Sequence, residues 1–593
     1  MNKKVRIPKD PLLLFPLAIL VGIVAGLGAY VFRSLIALFH NLMFLGKFSI
    51  VYDATVHTVP GPWGPWIILA PVLGAAGVAF LVQNFAPEAK GHGVPEVMDA
   101  IYYHKGVIRP VVAVIKSLAS ALSIGSGGSV GREGPIIQIG ASFGSTIGQI
   151  IRMPAWQRIT LIAAGTGGGI AATFNTPIGG VLFAIEIALH EISVRTLVPV
   201  AISTATATYL GRIFFGPNPS FVIPSFETPY FHVEDPLVLF SYLGLGVLTG
   251  AVSAIYIKSI YGTEDLFEKV IPGNYYLRHM AGMLIVGVLI YLSLTFLGEY
   301  YIEGVGYATI QDVLMGRLSQ LDLLLLLFLL KLLVTSLTLG SGGSGGIFSP
   351  SLYMGAALGG VYGVVLHYLF PWLTISTPAF AVAGMAGMFA GATGAAMAAI
   401  VMIFEMTLDY NVIIPMTITV ALSYGVRKIL TSESIYTMKL VRRGHYMPEA
   451  LQVNFQQLSR AMRVMDPNFL LVPDSMAVEE CAKLMPPGGE SFWFLVKGPR
   501  GSIGFATQEV LAMERLHSSS DTLTMGQIAN RTYATVDEEM SLFDVIARMR
   551  AKGASAALVL ADQGGDLFAR VRGIILKEKI ADSFTEAIDL FSG

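Results

Sequence analysis

Between Lys331 and Glu405 lie 73 residues without a single Lys, Arg, Asp or Glu. A run that long and uncharged cannot coat a water-exposed domain; it has to face lipid or pack against segments that do. The remaining charges are divided unevenly. Residues 1–440 hold 44 charged side chains, whereas residues 441–593 hold 35 in 153 positions. That shift sets a boundary near residue 440, with an apolar body before it and a water-soluble domain after it. At 54% hydrophobic residues and a mean hydropathy of +0.65, the chain reads as a polytopic membrane protein with a soluble tail. Basic and acidic residues number 39 and 40, which leaves no electrostatic footprint for nucleic acid. The single cysteine, Cys481, excludes a disulfide framework and any cysteine-rich metal site.

Three lysines and an arginine in Met1–Lys9 precede the apolar run Pro11–Phe32. No small-residue cleavage pattern ends that run, so it is expected to be a first membrane or interfacial helix, and the basic flank favours a cytoplasmic N-terminus. Residues 11–32, 236–257, 279–298 and 321–339 are long enough to span a bilayer. Those around 66–83, 110–123 and 353–370 are short or broken by Gly and Pro, as expected of tilted helices and half-helices that meet inside the membrane. Well over ten helical segments are expected.

The body repeats itself. GSGGSVGREGPIIQIGASFG (Gly125–Gly144) and GSGGSGGIFSPSLYMGAALG (Gly340–Gly359) match at 10 of 20 positions at an offset of 215. Each runs on into a second Gly-rich block ending in glutamate: Gly165–Glu186 and Gly384–Glu405, at an offset of 219. Two paired blocks in the same order argue for two related halves, approximately residues 11–215 and 236–430, with a binding site where their broken helices meet. The tail, from about 460, reads as two α/β units. The first has a helix over Ala477–Leu484, strands over Phe492–Val496 and Ser502–Ala506, and a helix over Glu509–Leu516. The second has a helix over Leu542–Met549 and strands over Ala556–Leu560 and Val571–Leu576. Residues 441–459 are left as a linker.

Gly-rich loops opening helices inside a membrane suit an anion. Glycine lets the backbone approach the ligand, and unpaired N–H groups at a helix start point at its charge. A fixed cation in so low a dielectric would hold the anion too tightly for rapid release. Three loops qualify: Gly91–Pro95 with His92 and Gly93, Gly131–Pro135 with Arg132 and Gly134, and Gly346–Pro350 with Ile347 and Phe348. Glu133 stands out, because an intramembrane carboxylate is costly and functional by default. When charged it can take an anion's place, and when protonated it can leave, as both gate and proton carrier; the alternative is a structural ion pair with Arg132. Glu186 and Glu405 end the paired helices, and either a helix-terminus role or, for Glu186, gate or proton involvement is open. His92 can donate an N–H to an anion and titrate near neutrality, or be a satisfied histidine. Nothing in the apolar body offers a nucleophile–base pair or metal cluster, so an enzyme is not expected.

These segments resemble the CLC family of chloride channels and transporters over roughly residues 12–440. GREGP at 131–135, GIFSP at 346–350, GHGVPE at 91–96 and SIYTMKL around Tyr436 carry the likeness. The tail resembles the paired CBS domains of many members. The resemblance implies an all-α inverted-repeat membrane fold with broken helices, and a homodimer with one anion path per subunit and both termini cytoplasmic, probed by chloride or another small anion. It also implies a central anion held by the backbone N–H groups of Ile347 and Phe348 and the hydroxyl of Tyr436, with Glu133 as the external gate. No cofactor is implied.

The chain departs from the family pattern at two places in the membrane body, His92 and Ile187, and again in the tail. His92 stands where the family usually has serine, or proline in nitrate-preferring members. Pro135 argues against the fluoride branch, whose gating motif is GREGT. Ile187 stands where exchangers usually carry an inner proton-transfer glutamate, which favours a passive, Glu-gated chloride channel. The alternative is a chloride/proton antiporter that uses Glu133 and a non-standard inner path, with Glu186, His190 and Glu191 nearby; a solute carrier of another class is the third reading. In the tail, Gly504 and Thr507 are followed by Val510, and Gly573 by Leu576 and Lys579, so the acidic residue that would hold a nucleotide's ribose is missing. Nucleotide sensing is therefore not expected, and dimer bracing or subtler regulation is.

Overall fold

The computed structural model describes residues 13–189, 193–218, 220–221, 236–446, 460–484, 492–498, 503–517, 523–561 and 570–580. The chain divides after Met447 into a helical unit and a smaller α/β unit. His190 and Glu191 lie outside the described residues, as does most of the stretch read as a linker.

The helical unit is built twice. Its first half runs α1 (Leu14–His40), α2 (Leu69–Phe85), α3 (Val94–Tyr102), α4 (Val111–Gly125), α5 (Glu133–Ile150), α6 (Ala155–Phe174), α7 (Pro177–Phe183) and α8 (Val194–Phe215). Its second runs α9 (Pro236–Val270), α10 (Tyr275–Leu297), α11 (Tyr307–Leu314), α12 (Leu321–Gly340), α13 (Phe348–Leu369), α14 (Thr377–Thr393), α15 (Ala396–Thr407) and α16 (Ile413–Leu430). A last short helix, α17 (Ile435–Arg442), follows. Element matches element, long with long and half-helix with half-helix. Among the described residues, eight helices are long and apolar enough to cross a membrane, while α3, α7, α11 and α15 are not.

The repeated glycines have a packing reason. In each half the two best-packed helices, α5 with α6 and α13 with α14, touch backbone to backbone. A Cβ on Gly140 would overlap the Gly165 carbonyl and one on Gly144 that of Leu161; Gly355 meets Gly384 and Gly359 meets Phe380 in the same way. Without a hydrophobic drive between helices in lipid, such close approach supplies the packing energy. Both second helices of these pairs stop in left-handed geometry, α6 at Asn175 (φ 63°) and α14 at Gly394 (φ 83°). The chain then turns into α7 and α15. α7 widens into a π-turn over Ala184–Leu189, which carries Glu186 and Ile187.

Contacts between the halves are reciprocal, as a two-fold axis requires. Gly131 N–H donates to Gly346 O at 2.6 Å, and Gly346 N–H to Gly131 O at 2.6 Å. Glu186 accepts from the N–H groups of Met397 (2.9 Å) and Ala398 (2.7 Å) at the start of α15; Glu405 accepts from those of Ile178 (3.1 Å) and Gly179 (2.8 Å) at the start of α7. The inverted-repeat helical fold is thus present, with its axis passing between the two glycines.

The smaller unit holds two three-stranded sheets. In the first, β1 (Phe469–Pro473) pairs parallel with β2 (Trp493–Lys497), which pairs antiparallel with β3 (Ile503–Thr507). In the second, β4 (Tyr533–Asp537), β5 (Ala556–Leu560) and β6 (Val571–Leu576) repeat the pattern. Trp493, Leu495 and Phe505 pack against Leu558, Val571 and Ile574, so one face of each sheet is buried on the other. The leading strands β1 and β4 were not expected from the sequence. FLLVP is a continuous apolar run that ends in a proline, and YATVD alternates through Ala534 and Val536 alone, so neither stands out in the sequence.

Candidate functional site

Four helix starts converge where the halves meet: those of α3, α5, α11 and α13. Each follows a Gly-rich loop, and these loops are held to one another by backbone bonds. Besides the Gly131–Gly346 pair, Gly91 N–H donates to Gly343 O at 3.0 Å and Gly345 N–H to Gly91 O at 3.2 Å. A Cβ on Gly134 would strike the His92 carbonyl, and one on Gly93, which also has φ +87°, would sit 2.7 Å from Gln138 Oε1. At Gly134 backbone fills the space, and at Gly93 the positive φ together with the Gln138 side chain favours glycine.

Two buried lysines fasten the loops. Lys116 Nζ, on α4, donates to the carbonyls of Ala89 (3.0 Å) and Gly91 (2.6 Å). Lys331 Nζ, on α12, donates to those of Ile302 (3.2 Å) and Gly304 (3.0 Å). The two lysines are 215 residues apart and their acceptors 213, so the same tie serves the His92 loop and the Tyr307 loop. Both were missed in the sequence, although GHGVP at 91–95 and GVGYA at 304–308 show a third repeated block once the lysines are aligned.

Glu133 opens α5 and is fully buried. Its Oε1 accepts from the hydroxyls of Tyr307 and of Ser349 (2.6 Å), and its Oε2 from the backbone N–H of Ser349 at 3.3 Å. That N–H belongs to the first turn of α13, whose leading N–H groups have no partner within the helix. The carboxylate therefore occupies donors that could equally receive an anion. Arg132 Nε is 4.0 Å from Glu133 Oε1, at the limit of an ion pair, and the Arg132 guanidinium lies 5.0 Å from the centre of the Tyr307 ring. Hydroxyl and backbone donors, rather than a tight Arg132 pair, hold the group.

Of the residues expected to bind an anion, Ile347 and Phe348 start α13 beside these donors, with the Phe348 ring packed on Phe174 (4.9 Å) and Phe389 (4.3 Å). His92 and Tyr436 come together on the other side of the loops, ring centres 6.4 Å apart, both buried. His92 Nδ1 is buried with no hydrogen-bond partner. Glu186 is not brought to this place; both its oxygens are engaged at α15. Ile187 is buried in the π-turn and offers nothing that carries a proton.

Two cavities approach the loops. One, of about 540 Å3, is lined by Arg33, Arg132, Phe174 and Tyr307. The other, of about 330 Å3, is lined by Gly91, His92, Tyr261, Lys90, Lys439 and Glu264 among others. Glu133 lines neither: one cavity stops at Arg132 and Tyr307, the other at the His92 loop.

The arrangement can receive an anion at a helix start and can fill the same place with a carboxylate. A family model described as voltage gated chloride channel matches residues 74–428. The chain belongs to the CLC family. A CBS domain model matches residues 525–586. Among curated CLC relatives, the "H(+)/Cl(-) exchange transporter ClcA" of Yersinia pseudotuberculosis serotype IB (strain PB1/+) is 31% identical over 438 residues, covering 73% of this chain and 88% of that one. The protein of the same description from Cronobacter sakazakii (strain ATCC BAA-894) is 30% identical over 452 residues, covering 73% and 90%. Among solved structures, a slow cyanobacterial Cl−/H+ antiporter aligns with a TM-score of 0.62 at 25% identity, covering 72% of this chain and 97% of that one. A eukaryotic CLC transporter aligns with a TM-score of 0.62 at 20% identity, covering 96% and 98%, which supports the fold across both units. The expectation of a passive channel drew on Ile187 alone. Three of the four CLC relatives named here are described as exchange transporters or antiporters, and they favour the antiporter alternative.

Proposed function

We propose that this CLC protein exchanges chloride for protons, as a homodimer with one path per subunit and both termini in the cytoplasm. The observation that carries the reading is Glu133: a buried carboxylate that fills an anion's seat at the start of α13, between two cavities that stop short of each other. Charged, it excludes the anion. Protonated, it loses the attraction of the N–H and hydroxyl donors, leaves, and carries its proton to the Arg132 cavity, which is the external one. Chloride then occupies the seat and passes to a central position served by the N–H groups of Ile347 and Phe348 and the Tyr436 hydroxyl.

His92 is proposed to face the inner anion position, and its unpartnered Nδ1 supports that placement. Because residue 187 is isoleucine and Glu186 is engaged elsewhere, the inner leg of the proton path runs through the His92 cavity. Lys90, Lys439, Arg442 and Arg443 on its walls draw anions in, offset in part by Glu264 and Glu268. Chloride is the cargo and no cofactor is required; the CBS pair, with Val510 and Lys579 where a ribose-binding acid would stand, braces the dimer and binds no nucleotide.

The test is Glu133→Gln in liposomes. Chloride flux should persist while proton movement and the response to external pH disappear; an unchanged proton movement would defeat the assignment.

A further inference from the structure

The exchange reading requires Glu133 to leave its seat, and the structure shows what it must break to do so. Tyr307 is the first residue of α11, placed by Gly306 in left-handed geometry (φ 77°), with the preceding loop tied to Lys331. Its ring is wedged against Phe221 (5.3 Å between centres) and Phe174 (6.4 Å) beneath the Arg132 guanidinium. That leaves its hydroxyl one direction, toward Glu133. Ser349 belongs to the GIFSP loop and gives the same carboxylate both its hydroxyl and its N–H. The repeat shows that neither group is demanded by the fold: the counterpart of Tyr307 at an offset of 213 is Val94, and that of Ser349 at 215 is Gly134.

We infer that Tyr307 and Ser349 are positioning residues whose hydroxyls clamp the charged Glu133 carboxylate in the anion's seat, and so set the external pH at which the path opens. Three donors converge on a group that is acceptor-only while it is ionised. When a proton from the external cavity adds to the carboxylate, the carboxyl becomes a donor itself and one hydroxyl loses its acceptor. Tyr307 and Ser349 then have each other, their oxygens 2.9 Å apart, so the departure of Glu133 leaves no orphaned hydroxyl. The charged and titratable groups around the carboxylate are Arg132 beside it, Tyr307 on α11, Tyr436 on α17, and Arg33 on α1, which acts on Arg132 and Tyr307. Arg132 stands at the limit of ion-pair distance from the carboxylate, and the two hydroxyls bond it directly.

The inference rests on Glu133 as the gate, and its test separates the two. Chloride efflux from proteoliposomes is measured against external pH for wild type, Tyr307→Phe, Ser349→Ala, and Tyr307→Phe combined with Glu133→Gln. Removing one hydrogen bond to a charged group should move the pH of half-maximal flux upward by about 1 to 2 units in either single variant. In the Glu133→Gln background Tyr307→Phe should change nothing. Chloride binding to the purified protein at neutral pH, measured by calorimetry, should tighten in both single variants, since the competing carboxylate is held less firmly. Unmoved pH profiles and binding in the single variants, with wild-type flux present, overturn the clamp, as does a shift that persists without Glu133. If wild type carries no chloride while binding still tightens in the variants, the exchange reading fails and the clamp stands. Should Tyr307→Phe not give monodisperse protein, Ser349→Ala, which keeps the backbone N–H, decides alone.

Discussion

Glu186 and Glu405 cap each other's helices across the two-fold, and replacing either by glutamine separates a structural role from a proton-carrying one. Each carboxylate accepts two backbone N–H groups at a helix start. Glutamine retains one acceptor and sets its amide against the second N–H. The loss is one charge-assisted hydrogen bond, about 1.5 to 3 kcal/mol, plus about 0.3 to 1 kcal/mol for the missing charge at the helix N-terminus. At an unfolding entropy of about 2.1 cal/mol/K per residue, the 447 residues of the helical unit give about 0.9 kcal/mol per degree. Either substitution should therefore lower the melting temperature by about 2 to 4 °C. Because the two caps are equivalent by symmetry, Glu186→Gln and Glu405→Gln should fall by similar amounts, read as loss of the monodisperse peak after heating in detergent. Both variants should keep the wild-type ratio of protons to chloride in liposomes. Loss of proton movement in Glu186→Gln, with an unchanged melting temperature, would refute the capping argument and restore Glu186 to the proton path.

Two further outcomes follow from the buried groups. Lys116→Met frees the His92 loop, whose Ala89 and Gly91 carbonyls keep only the Ser344 hydroxyl and the Gly345 N–H, and Lys331→Met frees the Tyr307 loop by removing the donor to the Ile302 and Gly304 carbonyls. The first should weaken chloride binding by calorimetry and the second should shift the external pH response of flux; identical effects would mean that the lysines only hold the fold. In the soluble unit Cys481 is buried, and burial with Glu480 beside it pushes the thiol up to about 11. It should stay protonated at pH 8 and react slowly with a thiol reagent until denaturant is added; rapid labelling of the folded protein would show that this unit is open.

The sequence carried the architecture where the structure repeats itself and the chemistry where a charge stood alone. Gly140 with Gly355 and Gly144 with Gly359 were visible as identities because each touches backbone, which no other residue permits. Glu133 was visible because a carboxylate in so apolar a body needs a reason. Tyr307 was not, since tyrosines are common in membrane helices and its loop diverges from its partner at the residue that matters. Glu186 left both roles open until the facing N–H groups of α15 were placed 211 and 212 residues away. Ile187 showed correctly that no carboxylate lies there, but a missing group does not reveal which other path a proton takes, and so it pointed to a channel where the CLC relatives point to exchange. In the tail, β1 and β4 escaped notice because each pairs along one edge and is half exposed.

Coupling is the claim on which the account turns. Purified wild-type protein in liposomes loaded with high chloride, at equal pH inside and out, with potassium and valinomycin to clamp the voltage near zero, should move protons into the liposomes as chloride leaves. The external solution would turn alkaline with no proton gradient to drive it. Chloride efflux of the same size with no change in external pH would contradict exchange and leave Glu133 as the gate of a passive path.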